Sequence, residues 1–208
     1  PFKINHEFIS QTGACNARNL ALKKVTSKYV YLADDDNKFS ETLLRDIITK
    51  MERYNFKAIS MSYLQANEVE KNKNAFQYST FGGGSSVILS EFLKLVSFDM
   101  ALEFGYGEDV DFGMQLRNLG ADVIYVPEIR ILHLKASTGG FRTKFVHPWE
   151  NDKLQPKPSP TVLFNRTKNT TYRQLLGYKT TLFLKFYKSQ NIKNPRRDPG
   201  AVGKLSKG

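Results

Sequence analysis

A chain of 208 residues with 40% hydrophobic and 12% aromatic content holds enough apolar mass for one sizeable core and an appendage, which excludes disorder throughout and two full enzyme domains. Its single cysteine, Cys15, excludes an internal disulfide framework and a cysteine zinc site. The net charge of +11 sits at one end: residues 1–150 hold 18 basic and 18 acidic residues, whereas residues 151–208 hold 13 and 2, so a neutral body carries a polycationic tail. No apolar run reaches the ~20 residues that span a bilayer, and the first residues do not read as a signal peptide. The opening at Pro1, without Met and without a strand-forming run before residue 12, points to a piece of a longer protein.

Gly13 to Lys24 reads as a turn feeding a helix, with Ala17, Leu20, Ala21 and Lys24 at helical spacing. The apolar run Tyr29–Ala33 stops abruptly at Asp34-Asp35-Asp36-Asn37 and predicts a buried strand. Ser40 is the expected N-cap of a helix carrying Leu43, Leu44, Ile47 and Ile48. Ala58–Leu64 reads as a strand and Glu68–Asn74 as a polar loop. Gly82-Gly83-Gly84 leads into a strand through Leu89, after which Ser90 is expected to cap a helix with Phe92, Leu93 and Val96. Gly107-Glu108-Asp109 opens a helix with Phe112, Leu116 and Leu119 that Gly120 stops. Val123–Val126 is a strand closed by Pro127, and Ile129–Leu134 is a further extended piece with His133. This alternation predicts an α/β domain with a largely parallel sheet, and Pro156, Pro158 and Pro160 predict a linker out of it. No internal repeat is visible.

Ligands of open α/β sheets sit beyond the carboxyl ends of strands, where Asp34, Asp35 and Asp36 fall. Three adjacent carboxylates fit a hard divalent cation on a diphosphate, or equally a solvated turn that caps the next helix. Glu108, Asp109 and Asp111 open a helix, which the macrodipole alone explains; the sharper reading is a general base beside an acceptor hydroxyl. His133 in an apolar strand is a core residue or a metal ligand. Gly82–Gly84 is a plain loop or a backbone surface for a sugar or phosphate, and it lacks the spacing of a Walker or dinucleotide-binding fingerprint.

The order of these pieces is more specific than any one. Ala14-Cys15-Asn16-Ala17-Arg18-Asn19 precedes Asp34-Asp35-Asp36-Asn37. There follow Gly82–Gly84, Ser97-Phe98-Asp99, Gly105-Tyr106-Gly107-Glu108-Asp109-Val110-Asp111-Phe112, Val126-Pro127 and His133. From about Gly13 to Lys135 this closely resembles the family 2 glycosyltransferases of the GT-A fold, with their ARN segment, DxD motif and GED-containing acceptor motif. The resemblance implies a GT-A α/β fold (a Rossmann-like mixed, mostly parallel sheet) whose first strands, with the contacts to the base, precede Pro1. It divides the chain into a partial transferase domain at 1–150 and a Pro-containing linker with a basic helical extension at 151–208.

The same resemblance assigns roles. Asp34 and Asp36, with His133, would hold Mn²⁺ or Mg²⁺ on the diphosphate of a nucleotide-sugar, a UDP-sugar foremost. Arg18, Asn19, Asp34, Asp35, Gly83 and Gly84 would contact the donor. Asp109 would be the catalytic base and Glu108 would orient the acceptor, a saccharide or a lipid-linked one, with Trp149 offering a stacking surface. One base and one metal suffice for a single inverting displacement of a hexosyl group. Gln115 stands where relatives often carry Arg, Ala21 where many carry Gly, and the QxxRW signature of processive synthases is absent.

In the tail, 171–189 places Tyr172, Leu175, Leu176, Phe183, Phe186 and Tyr187 on one helical side, interrupted by Lys179 and flanked by Lys185 and Lys188. Such a helix lies on anionic lipid or packs on the body. The reading as a whole is a bacterial, cytoplasmic enzyme of polysaccharide biosynthesis, peripheral to the inner face of the cytoplasmic membrane. Nucleic acid is not an expected partner, because the excess charge lies outside the neutral body. The rival readings are a non-catalytic membrane- or nucleic-acid-binding module and a metal-dependent phosphohydrolase using the same carboxylates. Asn165 and Asn169 head sequons by pattern only.

Overall fold

The computed structural model describes residues 3–135, 145–153 and 155–189. They divide into a first unit, which reaches Phe104 and resumes at Glu108, and a second made of Gly105–Gly107 and the residues from Phe145 onward.

The first unit is built on one sheet of β1 (Tyr29–Ala33), β2 (Asn37–Lys38), β3 (Ala58–Leu64), β4 (Phe76–Tyr78), β5 (Ser85–Leu89) and β6 (Val123–His133). The strand order is β1-β5-β3-β6-β2, with β4 also on β6. The expectation of mostly parallel pairing is corrected here. Only β3 and β6 pair in parallel, while β5 lies antiparallel to both β1 and β3, and β2 and β4 lie antiparallel to β6. Strands β1, β3 and β6 do point the same way, as alternation with helices demands. What the pattern conceals is that β5, entering from the glycine turn, inserts between β1 and β3 in reverse.

Three local expectations also change. Pro127 does not end a strand, because β6 runs through it: the register with β3 jumps between Met61 and Ser62, so the residue without an N–H falls in a bulge. The helix α2 (Leu43–Tyr54) is capped at Thr42 rather than Ser40, without a side-chain capping bond, and it ends on left-handed Asn55. The segment after Ser90 is a short 3₁₀ turn, Ser90–Lys94, not an α-helix.

Core residues fall on both faces of the sheet. Neighbours Ala58 and Ile59 on β3, and Ile88 and Val87 on β5, point into different clusters, as successive strand residues must. One cluster takes Leu43, Ile47 and Met51, the every-fourth-residue stripe of α2. The other takes Cys15 and Leu22 of α1 (Ala14–Leu22) and Phe112 and Leu116 of α3 (Glu108–Asn118), with Phe81 and Phe98. Phe112 stacks on Phe98 with ring centroids 4.4 Å apart.

Helix α3 approaches the 79–81 strip closely because Gly113 has no side chain: a Cβ there would stand 2.4 Å from the Ser79 carbonyl oxygen. Gly113→Ala must therefore push α3 off the strip that positions the glycine turn. We expect a loss of about 1–3 kcal/mol of stability, the cost of overpacking a fixed backbone, read by denaturant unfolding.

The second unit holds α4 (Pro160–Asn169) and α5 (Tyr172–Ser189). Helix α4 begins where a linker is predicted, since Pro160 occupies the first helical turn, where a missing N–H costs nothing. Asn165, 7% exposed, donates its amide to the Gly107 carbonyl oxygen at 2.8 Å, so that sequon is folded away from modification.

Candidate active site

Strands β1 and β2 stand at opposite ends of the strand order, yet only Asp34, Asp35 and Asp36 separate them. The acidic turn is thereby drawn across the end of the sheet, which spreads three carboxylates that would otherwise repel one another. Asp34 lies against the backbone of Gly84, where a Cβ would come 2.2 Å from its Oδ2. Asp35 is exposed. Asp36 accepts from the Tyr63 hydroxyl at 3.2 Å, and its Oδ2 is 3.1 Å from His133 Nε2. The Tyr63 ring stacks on His133 at 4.4 Å. This grouping follows from pairing, because Asn37 opposes His133 in the β2–β6 ladder and so brings the residue before it alongside. Asn37 ties the turn down, donating to the Gly84 carbonyl at 2.7 Å and the Tyr31 hydroxyl at 3.1 Å. Burial, then the charges of Asp34 and Asp36, push the Tyr63 phenol up, so it stays a donor.

Among the described residues no group of three or more His, Cys, Asp or Glu that could hold a metal is assembled. The expected trio of Asp34, Asp36 and His133 is thus met as a pair, with Asp34 on Gly84. The chemistry of the pair is compatible with a divalent cation nonetheless: a carboxylate and an imidazole are both ligand types, and such ions take one or two protein carboxylates plus phosphates and water. Asp36 Oδ2 and His133 Nε2 lie at hydrogen-bond distance, 3.1 Å, and would turn together toward such an ion.

The second group forms on α3. Asp109 Oδ2 accepts from the Gly83 N–H at 3.0 Å, its Oδ1 from Arg18 Nη1 at 3.3 Å, and its carbonyl from the Phe81 N–H at 2.9 Å. Arg18 lies over Gly83, where a Cβ would meet its guanidinium at 2.1 Å, and 5.2 Å from the Phe98 ring centroid. Glu108 Oε1 is 3.9 Å from the same guanidinium. Gly83 and Gly84 are thus side-chain-free strips on which Arg18 and Asp34 rest. Burial raises the Asp109 pKa; Arg18 and the Gly83 N–H oppose this, while Glu108 and Asp34 add to it. Asp109 and Arg18 meet at Gly83 and Asp34 at the adjacent Gly84, so the two groups share the glycine turn.

Arg18 is held by its own helix. The N–H groups of Cys15 and Asn16, at the start of α1, donate to the two carboxylate oxygens of Glu103 at 3.0 and 2.8 Å, a cap supplied from far along the chain. Gly13 makes room for it with φ +133°, where a Cβ would lie 2.4 Å from that carboxyl group.

Other expected site residues are engaged differently. Asn19, expected on the donor side, bonds the main chain of Phe98 with both ends of its amide at 2.8 Å each and so anchors α1. Asp111 is fully buried and accepts from Gln115 at 2.7 Å, while Gln115 also donates to the Ser97 carbonyl at 2.9 Å, so Gln115 braces the domain. Cys15 is buried, and burial, then the charge of Glu103, pushes its thiol up to about 12. Trp149 belongs to the second unit, where it stacks on His147 at 4.7 Å. Tyr63 and Glu103 escape the sequence reading, and Asn37 enters it only as the end of the acidic turn. Tyr63 near the end of a buried strand was the one with a signal, as an aromatic hydroxyl at the carboxyl end of a strand.

Residues 4–96 match the family model described as Glycosyl transferase family 2. The fold is similar to that in the crystal structure of GalNAc-T7 with UDP, GalNAc and Mn²⁺, at 15% identity and a TM-score of 0.56, covering 93% of this chain and 41% of that one. TarS 1–349 of S. aureus is similar at 16% identity and a TM-score of 0.43, covering 54% and 37%, and its complex with UDP-GlcNAc at 17% and 0.38, covering 61% and 42%. The chain therefore spans less than half the length of these proteins. Among curated proteins no relative matches. The GT-A fold expected from the motifs is the fold observed.

Proposed function

We propose that this chain, whose residues 4–96 match the family 2 glycosyl transferase model, moves a hexose from a nucleotide-diphosphate sugar to an acceptor hydroxyl with inversion. The observation that supports the reading best is one carboxylate, Asp109, fixed by Arg18 and the Gly83 N–H, one residue from Gly84, on which Asp34 of the acidic turn rests.

Asp109 takes the acceptor proton as the hydroxyl oxygen attacks the anomeric carbon, and burial brings it toward the basicity that task needs. Glu108, beside Arg18, hydrogen-bonds the acceptor. Gly83 and Gly84 let the donor approach the backbone, and Asp34 and Asp35 contact its sugar and ribose. Asp36 and His133 would hold Mn²⁺ or Mg²⁺, which when bound would supply positive charge to the diphosphate leaving group. A single displacement needs no second carboxylate nucleophile. The acceptor is a saccharide, free or lipid-linked.

A UDP-sugar is the donor to try first, UDP being the nucleotide in the GalNAc-T7 structure. The test measures UDP release from a panel of UDP-sugars with Mn²⁺, with and without EDTA, beside hydrolysis of a simple phosphomonoester. Metal-dependent UDP release with an inert phosphoester is the expected result. Phosphoester hydrolysis without any sugar donor would move the assignment to a phosphohydrolase.

A further inference from the structure

We propose that the helical pair α4–α5 is a docking surface for an anionic lipid bilayer. Residues 160–189 contain Arg166, Lys168, Arg173, Lys179, Lys185 and Lys188 and not one Asp or Glu. A stretch of this length without a compensating acid repels itself unless a partner supplies negative charge.

The apolar residues tell which partner. Helix α5 buries no residue fully, and Tyr172, Leu176 and Leu184 are 78%, 52% and 59% exposed, as is Phe164 of α4 at 41%. At about 100° per residue, Tyr172, Leu176, Arg173, Leu184 and Lys188 follow one another around a single arc of α5. The other leucines and phenylalanines of α5, Leu175, Leu182, Phe183 and Phe186, are half-buried, Phe183 lying between Tyr172 and Leu176 on the same arc. Apolar side chains and cations therefore share the solvent-facing side. That mixture suits the boundary of a bilayer, where leucine and tyrosine enter the acyl edge and lysines extend to the phosphates. A nucleic acid would answer the charge alike and could stack on Tyr172, but Leu176 and Leu184, which flank the cations, present it no ring, whereas an acyl edge takes both leucine and tyrosine. No helix among the described residues is long and apolar enough to cross a membrane, so α5 lies on the surface rather than through it.

This inference is independent of the sugar-transfer reading, and its test requires no turnover. The full chain is sedimented with vesicles of phosphatidylcholine alone and of phosphatidylcholine with a quarter phosphatidylglycerol, at low and high salt. Binding to the anionic vesicles at low salt, released by high salt, is expected. Lys185→Glu with Lys188→Glu should weaken it by at least about tenfold, since each basic residue near the surface contributes severalfold. Leu176→Asn with Leu184→Asn should weaken it at constant salt. All four positions are exposed, so the circular dichroism spectrum should not change. No sedimentation with anionic vesicles at low salt would overturn the proposal. So would equal binding to neutral ones, or displacement from vesicles by an oligonucleotide.

Discussion

Asp109→Asn should lower sugar transfer by about 10²–10⁴-fold while leaving nucleotide binding intact. That range is the ordinary contribution of a positioned base. The amide keeps an oxygen for the Gly83 N–H or for Arg18, so the 81–83 strip and α3 should stay in place. What it cannot do is accept the acceptor's proton. The sign of the pH dependence follows from the same contacts. The base works ionised, so transfer falls as pH drops through the Asp109 pKa, which burial lifts above the ordinary value of roughly 3.9. Arg18 holds it down; Arg18→Gln should therefore move the acidic limb of the rate profile to higher pH. Transfer by Asp109→Asn at a rate comparable to the parent would remove this residue from the base role.

Asp36→Asn should cost transfer on the order of a hundredfold or more and raise sharply the Mn²⁺ concentration needed for half-maximal rate. Asp36 is the carboxylate bound to both Tyr63 and His133, and replacing it removes the negative donor from the pair. The neutral amide still fits the Tyr63 hydroxyl bond, so the fold should persist, and a wild-type melting temperature without ligand checks this. A variant with unchanged rate and metal requirement would place the cation elsewhere.

Chemistry was more legible in the sequence than topology. Strand ends could be read from Asp34–Asp36 because a buried apolar run that stops at charges has only one sensible boundary. The helix opening at Glu108 was legible for a similar reason, since acids gather at helix N-termini. The antiparallel insertion of β5 was not, because residue patterns report burial and period but not strand direction. The continuation of β6 through Pro127 was hidden by a bulge that no local signal announces. At the site, Asp36 and His133 are 97 residues apart and Arg18 and Asp109 are 91 apart. Their pairing emerges only from sheet order, as does the brace of Tyr63. Asn19 shows that the sequence also hides structural work: its amide is bonded to the main chain of Phe98 from 79 residues away.

The most direct test of the central claim is thermal unfolding of the full chain with UDP, GDP and CMP, each with Mn²⁺ and again with EDTA. A ligand at a hundred times its Kd stabilises by about 2.7 kcal/mol, which for a protein of this size is a shift on the order of 5 °C. The account predicts such a shift with one nucleoside diphosphate, abolished by EDTA and in Asp36→Asn. No shift with any nucleotide, or one that persists undiminished in EDTA and in Asp36→Asn, would contradict it.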